Sequence, residues 1–439
     1  MLDVKLGIRA LNNLKKYYFS FQILCIFLYR ICLDAIYIGI ISPVYRYSYS
    51  GFYTRLLLFP YLVSILAVVI LSPFIAEINA RKTPSSMLVT ILQYLYFIPL
   101  TSFYGCIGTV SPTFFVIAMA YWTALLAWQL CLPTLSLRQL PIRHVRQFFW
   151  GLTILASVFT LAVSWRYTGL RFTLDFINVY GIRADAAEFD MPTVVKYLLN
   201  AMPMVLVVVL LYWLEHRQRL MALIVSVVYL FLFSIAGNKS YFFMLFLALG
   251  IYYLYRPWMF RWLPILLIGV ALIEVLEHLV LGTNWILSLF TRRMMYVPVA
   301  HSEAYYRFFS VNPVDLFCSG IMGKLSFQTG YIKDIPRTIA EFIGEYSMNA
   351  NNGLLGDMFA NLPPLLGVLI MPLILVLSFR LLDLAAAGQK DKIVLPFAAY
   401  FAITYINATW STTLLSHGML LTCLLLYLYP RDEKRSVNT

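Results

Sequence analysis

AMPMVLVVVLLYWL, residues 201–214, is one of the continuous apolar runs that decide the fold of this chain. A second run, LLIGVALIEVL at 266–276, has the same character. A transmembrane β-barrel would instead show short segments in which apolar and polar residues alternate. Continuous runs of roughly 17–25 residues match a helix that crosses a bilayer, and lipid tolerates only helices or closed barrels. We therefore predict an all-α polytopic membrane protein.

Composition supports one integral membrane domain over residues 1–439. The chain is 61% hydrophobic and 12% charged, which is more apolar surface than one soluble core could hide. No small-residue cleavage site follows the first apolar run, so we expect the first helix to be retained. About twelve transmembrane helices are predicted, at 18–41, 56–76, 87–108, 114–134, 147–165, 197–214, 220–236, 241–255, 263–281, 363–384, 393–410 and 414–430.

The basic residues cluster on one side of this arrangement, which the positive-inside rule assigns to the cytoplasm together with both termini. The net charge of +13 is thereby explained by membrane insertion, and a nucleic-acid partner receives no support. The clusters are Lys5, Arg9, Lys15 and Lys16, then Arg81 and Lys82, Arg138, Arg143 and Arg146, Arg217 and Arg219, Arg256 and Arg261, Lys390 and Lys392, and Arg431, Lys434 and Arg435.

Two large loops lie on the opposite, periplasmic side of the prediction: the first outer loop at 166–196 and the second outer loop at 282–362. Loops of this length are usually functional or disordered, and these are too rich in aromatic and aliphatic residues for disorder. We expect the second outer loop to fold as a cap over the helical bundle. One of its helices should follow Pro298, because proline suits a first helical position.

RRMMYVPVAHSEAYYRFF, residues 292–309, carries the most concentrated chemistry of the second outer loop. In a helix over 299–309, His301 and Tyr305 share a face, while Glu303 and Arg307 form an i,i+4 pair. That pair is either a solvated helix pair or part of a binding surface. Guanidinium forks suit phosphate or pyrophosphate, and aromatic rings beside them can stack on sugars. The predicted phosphate ligands are Arg292, Arg293 and Arg307.

The first outer loop contains three further arginines as binding candidates, Arg166, Arg171 and Arg183, the last of which ends the turn YGIR. The alternative is neutralisation by the acidic residues of the same loop, Asp175, Asp185, Glu188 and Asp190. Lys239, in the outer turn GNKS, is a further binding candidate whose alternative is snorkelling toward the membrane interface.

The predicted spans also hold ionisable residues. Arg30 and Asp34 are one turn apart and are expected to neutralise each other or a neighbouring helix. Glu274, Glu277 and His278 lie near the outer end of the ninth span. Their role is either functional or the anchoring of the helix end. No cysteine pattern suggests a metal site, and no phosphate-loop or dinucleotide motif occurs, so neither metal nor cofactor is expected.

With these features in place, the sequence resembles the O-antigen and oligosaccharide repeat-unit polymerases of the Wzy type. The resemblance rests on order and topology and on four strings: VYGIRADAAEF (179–189), AGNKSYFFMLF (236–246), the stretch 292–309, and NANNGLLGDMFANLPPLLGVL (349–369).

The resemblance implies a glycosyltransferase-C-like fold and metal-independent transfer in the bacterial inner membrane, with the active site facing the periplasm. The substrate would be an undecaprenyl-pyrophosphate-linked oligosaccharide, polymerised into O-antigen, and a chain-length regulator membrane protein would be a partner. Asn352, Lys239 and Tyr305 would join the arginines in binding substrate.

The group that accepts the proton of the acceptor hydroxyl is left open between three alternatives. His301 suits the role by its ordinary pKa of about 6.5. Asp357 or Glu277 would suit it if burial raised the pKa of the carboxyl. No dedicated base is needed if the pyrophosphate departs well before attack.

Two other activities are compatible with the sequence. An O-antigen ligase, which transfers finished glycan to lipid A core, is the nearer one. A lipid-linked oligosaccharide flippase is the other, although a flippase would place its charges along a central cavity rather than in a long outer loop.

Overall fold

The computed structural model describes residues 2–48, 51–134, 137, 143–174, 179–320, 323, 330–346 and 348–431. Every regular element in that part of the chain is helical. Ten helices within these described ranges are long and apolar enough to cross a membrane, so the chain is a multi-pass membrane protein. They are Phe19–Tyr45, Leu58–Ala80, Pro84–Ile107, Pro112–Cys131, Val145–Thr168, Thr193–Glu215, Arg219–Ala236, Leu263–Leu281, Pro364–Ala386 and Trp410–Leu428.

Two of the twelve predicted spans fall on shorter helices. Lys239–Leu254 has 16 residues and Asp391–Asn407 has 17. At about 1.5 Å per residue, helices of this length reach roughly 25 Å, which is short of the roughly 30 Å hydrocarbon core. In the part of the chain that the structure describes, length and composition therefore support ten of the twelve predicted spans, and the other two predicted spans coincide with these shorter helices.

The predicted outer loops contain helices of their own. The prediction of a helix after Pro298 is confirmed, because Val297–Phe309 is helical with that proline in its first turn. Asp175, Arg138, Lys434 and Arg435 lie outside the described residues. The other short helices of the loops are Val179–Glu188, Trp285–Leu287, Ile335–Phe342 and Leu355–Asn361.

The chain divides into two compact units. The first comprises Met1–Pro133, Pro257–Leu377 and Ala402–Trp410, and the second comprises Thr134–Arg256, Ser378–Phe401 and Ser411–Thr439. The second outer loop belongs wholly to the first unit, and the first outer loop belongs wholly to the second unit.

A buried ion pair between Arg30 and Asp34 lies at the centre of the first unit, which confirms that these residues neutralise each other. Arg30 is 0% exposed. Its Nε donates to Thr101 Oγ1 at 2.9 Å, and Nη2 donates to Ser64 Oγ and to the Thr101 carbonyl, both at 2.9 Å. Tyr61 donates its hydroxyl to Asp34 Oδ2 at 3.0 Å. The pair therefore ties the first three spans together.

Gly105 makes room for this pair. A Cβ at that position would lie 2.5 Å from Ser64 Oγ and 3.1 Å from Arg30 Nη2. Because real Cβ atoms do not approach so closely, any side chain here would displace the serine that Arg30 uses as an acceptor.

Among the described residues, four π-helical segments interrupt the helices, and all four lie in the first unit: Tyr37–Ile41, Gln93–Phe97, Glu277–Leu281 and Ser288–Tyr296. π-Helical turns are rare and occur frequently at functional sites. The two segments nearest the charged stretch, Glu277–Leu281 and Ser288–Tyr296, bracket the start of the second outer loop. Their position indicates a functional site at the start of that loop.

Asp34→Ala should destabilise the protein strongly, because it leaves the Arg30 guanidinium buried and unpaired. We expect a loss of about 3–5 kcal/mol in the free energy of unfolding, measured by denaturant unfolding of the purified protein in detergent. Glu77→Ala is the matched control, since Glu77 forms an exposed i,i+4 pair with Arg81 at 3.8 Å. That control should lose about 0.5 kcal/mol or less. Equal losses would contradict the central role of the buried pair.

The predicted orientation can be tested with two native cysteines. Cys318 is partly exposed in the second outer loop, and Cys131 is exposed at the carboxyl end of Pro112–Cys131. In single-cysteine variants, an impermeant maleimide should label Cys318 in right-side-out membrane vesicles and Cys131 in inside-out vesicles. The reverse pattern would overturn the orientation.

Candidate functional site

Two glutamates at the end of the span Leu263–Leu281 fix the start of the second outer loop. Glu277 accepts hydrogen bonds from Thr283 Oγ1 at 2.8 Å and from the backbone amides of Trp285 at 2.6 Å and Ile286 at 2.8 Å. Glu274 is fully buried and accepts from Thr291 Oγ1 at 2.6 Å. These contacts give both carboxylates an anchoring role immediately before Arg292.

The π-helix Ser288–Tyr296 then packs into the bundle. Tyr296 is 0% exposed, and its hydroxyl lies 2.8 Å from Ser102 Oγ and donates to the Leu33 carbonyl at 3.2 Å. Ser102 in turn donates to Asp34 Oδ1 at 2.5 Å. The buried ion pair of the first unit is thus linked through Ser102 to the residues that carry the predicted arginines.

The following helix, Val297–Phe309, is held by a buried polar network. Asn352 donates through Nδ2 to Ser302 Oγ at 2.9 Å and to the Pro298 carbonyl at 3.0 Å. Ser302 also lies 2.5 Å from the hydroxyl of Tyr96, in the middle of the span Pro84–Ile107. The second outer loop therefore contacts the middle of a span as well as its end.

Asn352 can occupy this position because of the glycine that follows it. The Gly353 amide donates to the Ile406 carbonyl at 3.1 Å, and a Cβ on Gly353 would lie 2.0 Å from the Tyr405 carbonyl oxygen. Only glycine permits this approach of two backbones. Asn352 Oδ1 is buried and has no hydrogen-bond partner in the described part of the chain.

His301 and Tyr305 share a buried face of the same helix, as predicted. Nδ1 of His301 lies 3.3 Å from the Asn351 carbonyl, and Tyr305 donates its hydroxyl to the Ala350 carbonyl at 3.1 Å. Burial, opposed by the hydrogen bond to Asn351 and assisted by the positive charge of Arg293, lowers the pKa of His301 to about 4. His301 is therefore neutral at neutral pH, with its proton on Nδ1 if that nitrogen donates to Asn351.

Asp357 is also buried, at the start of the helix Leu355–Asn361. It accepts from Asn361 Nδ2 at 2.8 Å and from the Trp410 amide at 2.6 Å. Burial raises the pKa of Asp357 to about 6, against the opposing effect of these two donors. The raised pKa is the property expected of a base, but both oxygens already hold neighbouring segments in place.

The three arginines of the stretch have different surroundings. The Arg292 guanidinium lies 4.4 Å from the ring centroid of Tyr45, at the end of the first span. Arg293 is exposed and forms no ion pair with the described residues, and it is close enough to His301 to affect its pKa. Arg307 pairs with Glu303 at 3.1 Å, which confirms the predicted i,i+4 pair.

The remaining candidates belong to the second unit. Arg171 forms an exposed ion pair with Asp185 at 3.3 Å, and Arg166 lies over the Tyr167 ring at 5.3 Å. Arg183 donates through Nε to the Gly237 carbonyl at 3.0 Å, two residues before Lys239. The sequence strings VYGIR and AGNKS are thus in contact.

Sequence reasoning missed several residues of this region: Tyr45, Tyr96, Thr291, Ser302 and Asn361. Four of them carry no local signal, because they acquire their roles from partners far away in the chain, whereas Asn361 bonds to Asp357 at the local i,i+4 spacing. Ser302 could have been noticed only as the neighbour of His301. Within the described residues, no group of three or more His, Cys, Asp and Glu side chains is arranged to hold a metal ion.

Comparisons with family models, curated proteins and solved structures find no match to this chain. The likeness to the Wzy-type polymerases therefore stays a resemblance.

The buried imidazole predicts a pH-dependent stability. Because the folded state holds His301 neutral until about pH 4, the unfolded state binds more protons as the pH falls below about 6.5. Stability from this residue is complete above that value and is lost as the pH falls toward 4.

We therefore expect wild-type protein to lose more thermal stability between pH 7 and pH 5 than His301→Gln, as measured by midpoints of unfolding in detergent. His144→Gln is the matched control, because His144 is exposed, and it should keep the wild-type pH dependence. Equal pH dependence in His301→Gln and wild type would show that His301 is not held neutral.

Proposed function

We propose that this protein is a metal-independent glycosyltransferase that joins undecaprenyl-pyrophosphate-linked oligosaccharide repeat units into O-antigen. It would act at the periplasmic face of the bacterial inner membrane. One observation carries the proposal: the charge of exposed Arg293 acts on the buried imidazole of His301, which contacts the Asn351 carbonyl, and the next residue, Asn352, has an Oδ1 acceptor without a hydrogen-bond partner among the described residues. A cation for a leaving phosphate and acceptors for a hydroxyl are the groups this reaction needs.

The arginines would bind the pyrophosphate of the donor. Arg293 is exposed at the surface. Arg292, the preceding residue, lies over the ring of Tyr45, the last residue of the first span. Their backbone is held by Glu274 and Tyr296, so the cations are fixed before substrate arrives. Preorganised cations stabilise the negative charge that develops on a leaving group.

The acceptor hydroxyl would attack the anomeric carbon of the donor sugar. The bond from that carbon to the pyrophosphate oxygen breaks, and undecaprenyl pyrophosphate leaves with the electron pair. The hydroxyl proton would pass to Nε2 of His301, while Nδ1 stays bonded to the Asn351 carbonyl.

Binding of the donor would itself make His301 more basic. Burial is the larger cause of its lowered pKa and Arg293 is a smaller one. A pyrophosphate beside Arg293 would offset the smaller cause, because it brings negative charge near the imidazole. The base would therefore be strongest when the donor is bound.

The assignments of the other candidates differ in strength. Asp357 and Glu277 each have both oxygens occupied by structural donors, so we place them behind His301 as bases. Tyr305 would hold the backbone next to Asn351 in place through its hydrogen bond to the Ala350 carbonyl. Arg183 and Lys239, with Arg166 and Arg171, would contact glycan or phosphate from the second unit.

Arg293→Ala should reduce polymerisation of a synthetic lipid-linked repeat unit by the reconstituted protein by roughly 10²–10³-fold, since one preorganised charge is lost. Arg293→Lys should recover only part of the rate, because a point charge lacks the bidentate fork. The measurement is product length and initial rate in liposomes.

Arg337→Ala is the matched control. Arg337 is an exposed arginine of the same loop, paired with Glu341 at 3.7 Å, and is not a predicted ligand. It should retain near wild-type activity, and equal activity of Arg293→Ala would overturn the assignment.

In cells, loss of the protein should leave lipopolysaccharide with a single repeat unit. Complete absence of repeat units would instead favour a ligase, or a flippase if the lipid-linked unit stays on the cytoplasmic side.

A further inference from the structure

A polar cavity of about 190 Å³ lies in the second unit, on the side predicted to face the cytoplasm. It is smaller than the roughly 300–1,000 Å³ of pockets for drug-sized ligands, so its size suits a small polar group. It is remote in sequence from the outer loops and plays no part in the proposed transfer reaction. The polar residues that line it are Glu215, His216, Gln389, Lys390, Tyr429 and Arg431.

Arg431 brings an incompletely bonded guanidinium to this cavity. Nη1 donates to the Leu137 carbonyl at 3.2 Å, whereas Nε and Nη2 are buried and have no hydrogen-bond partner among the described residues, which end at Arg431. Burial lowers the pKa of Arg431, because the charged form loses hydration. An anion bound at Nε and Nη2 would satisfy both donors through the edge of the guanidinium that forms bidentate bonds.

The neighbouring charges leave the cavity positive. Lys390 donates to Glu215 Oε2 at 2.7 Å, and Lys392 pairs with the other oxygen of the same carboxylate. One carboxylate is thus shared by two lysines, and Arg431 forms no ion pair with it. Among the described residues, positive charge therefore exceeds negative charge around the cavity, beside donors that have no acceptor in that part of the chain.

Gln389 sets a second requirement for the chemistry of the ligand. Its Nε2 donates to the Leu426 carbonyl, whereas Oε1 is buried and accepts no hydrogen bond from any residue that the structure describes. The residue is 8% exposed and lines the cavity. A bound group should therefore offer an O–H donor as well as anionic oxygens, which a phosphate monoanion or a phosphoglycerol does.

We propose that this cavity is a phosphate-binding site on the cytoplasmic side of the protein. Arg431 binds two phosphate oxygens, and Gln389 accepts from a hydroxyl of the ligand. Lys390 and Lys392, which both pair with Glu215, supply the surrounding positive charge. The phosphate comes either from an anionic phospholipid head group, for which basic pockets between helices on this side are suited, or from free phosphate.

The test uses the purified full-length chain in a neutral detergent. Native mass spectrometry measures retention of phosphatidylglycerol against phosphatidylcholine, and thermal unfolding measures stabilisation by inorganic phosphate against chloride at equal ionic strength. Arg431→Gln should weaken binding of the effective ligand roughly tenfold, as expected for loss of a charge-assisted hydrogen bond. Arg431→Lys retains the charge and should lie between Arg431→Gln and wild type.

Arg256→Gln is the matched control, because Arg256 is an exposed arginine of the same unit, on the same predicted side and outside the cavity. It should bind as wild type does. Arg431-dependent retention of phosphatidylglycerol without an effect of inorganic phosphate would identify a lipid head group, and the converse would identify free phosphate.

The proposal fails if wild-type protein binds neither probe. It also fails if both Arg431 variants bind as tightly as wild type, or if Arg256→Gln loses as much affinity as Arg431→Gln. Should Arg431→Gln not fold, Arg431→Lys against wild type gives the same decision.

Discussion

The structure of the first unit depends on burying one guanidinium in an apolar bundle. An isolated charge in such a place is costly, and the penalty falls only when every donor finds an acceptor. Arg30 pairs with Asp34 and donates to Ser64 and Thr101 on the neighbouring spans, so its charge is compensated and most of its N–H donors have acceptors. Gly105 leaves the space for it. The relative positions of the first three spans follow from the geometry of this single side chain.

The same network reaches the second outer loop. Asp34 accepts from Ser102, and Ser102 lies against the Tyr296 hydroxyl. Irregular backbone at the depth of a membrane is tolerated only where protein surrounds it. The π-helix Ser288–Tyr296 satisfies that rule, because its buried residues Thr291, Met295 and Tyr296 face the bundle. Arg292 and Arg293 are carried outward on the same segment, so the site inherits its rigidity from the core.

Burial acts on both candidate bases, and a nearby positive charge acts on one of them. His301 becomes neutral because burial and a nearby arginine disfavour the imidazolium, and the pKa of Asp357 rises because burial disfavours the carboxylate. Both groups are thereby brought toward uncharged forms in the region that the arginines keep positive. In the proposed transfer reaction, exposed Arg293 would bind the departing anion, and a buried uncharged group such as His301 would accept the proton.

The sequence by itself determined the helical membrane class, the helix after Pro298, the Arg30–Asp34 pair and the Glu303–Arg307 pair. These depend on the length of apolar runs, on the position of a proline or on i,i+4 spacing, all of which are local. Only the tertiary structure decided that Glu277 holds backbone amides, that Asn352 bonds to Ser302, and that Arg431 and Gln389 meet in one cavity. These contacts join residues far apart in the chain, and which of many possible partners a polar group finds depends on how the helices pack.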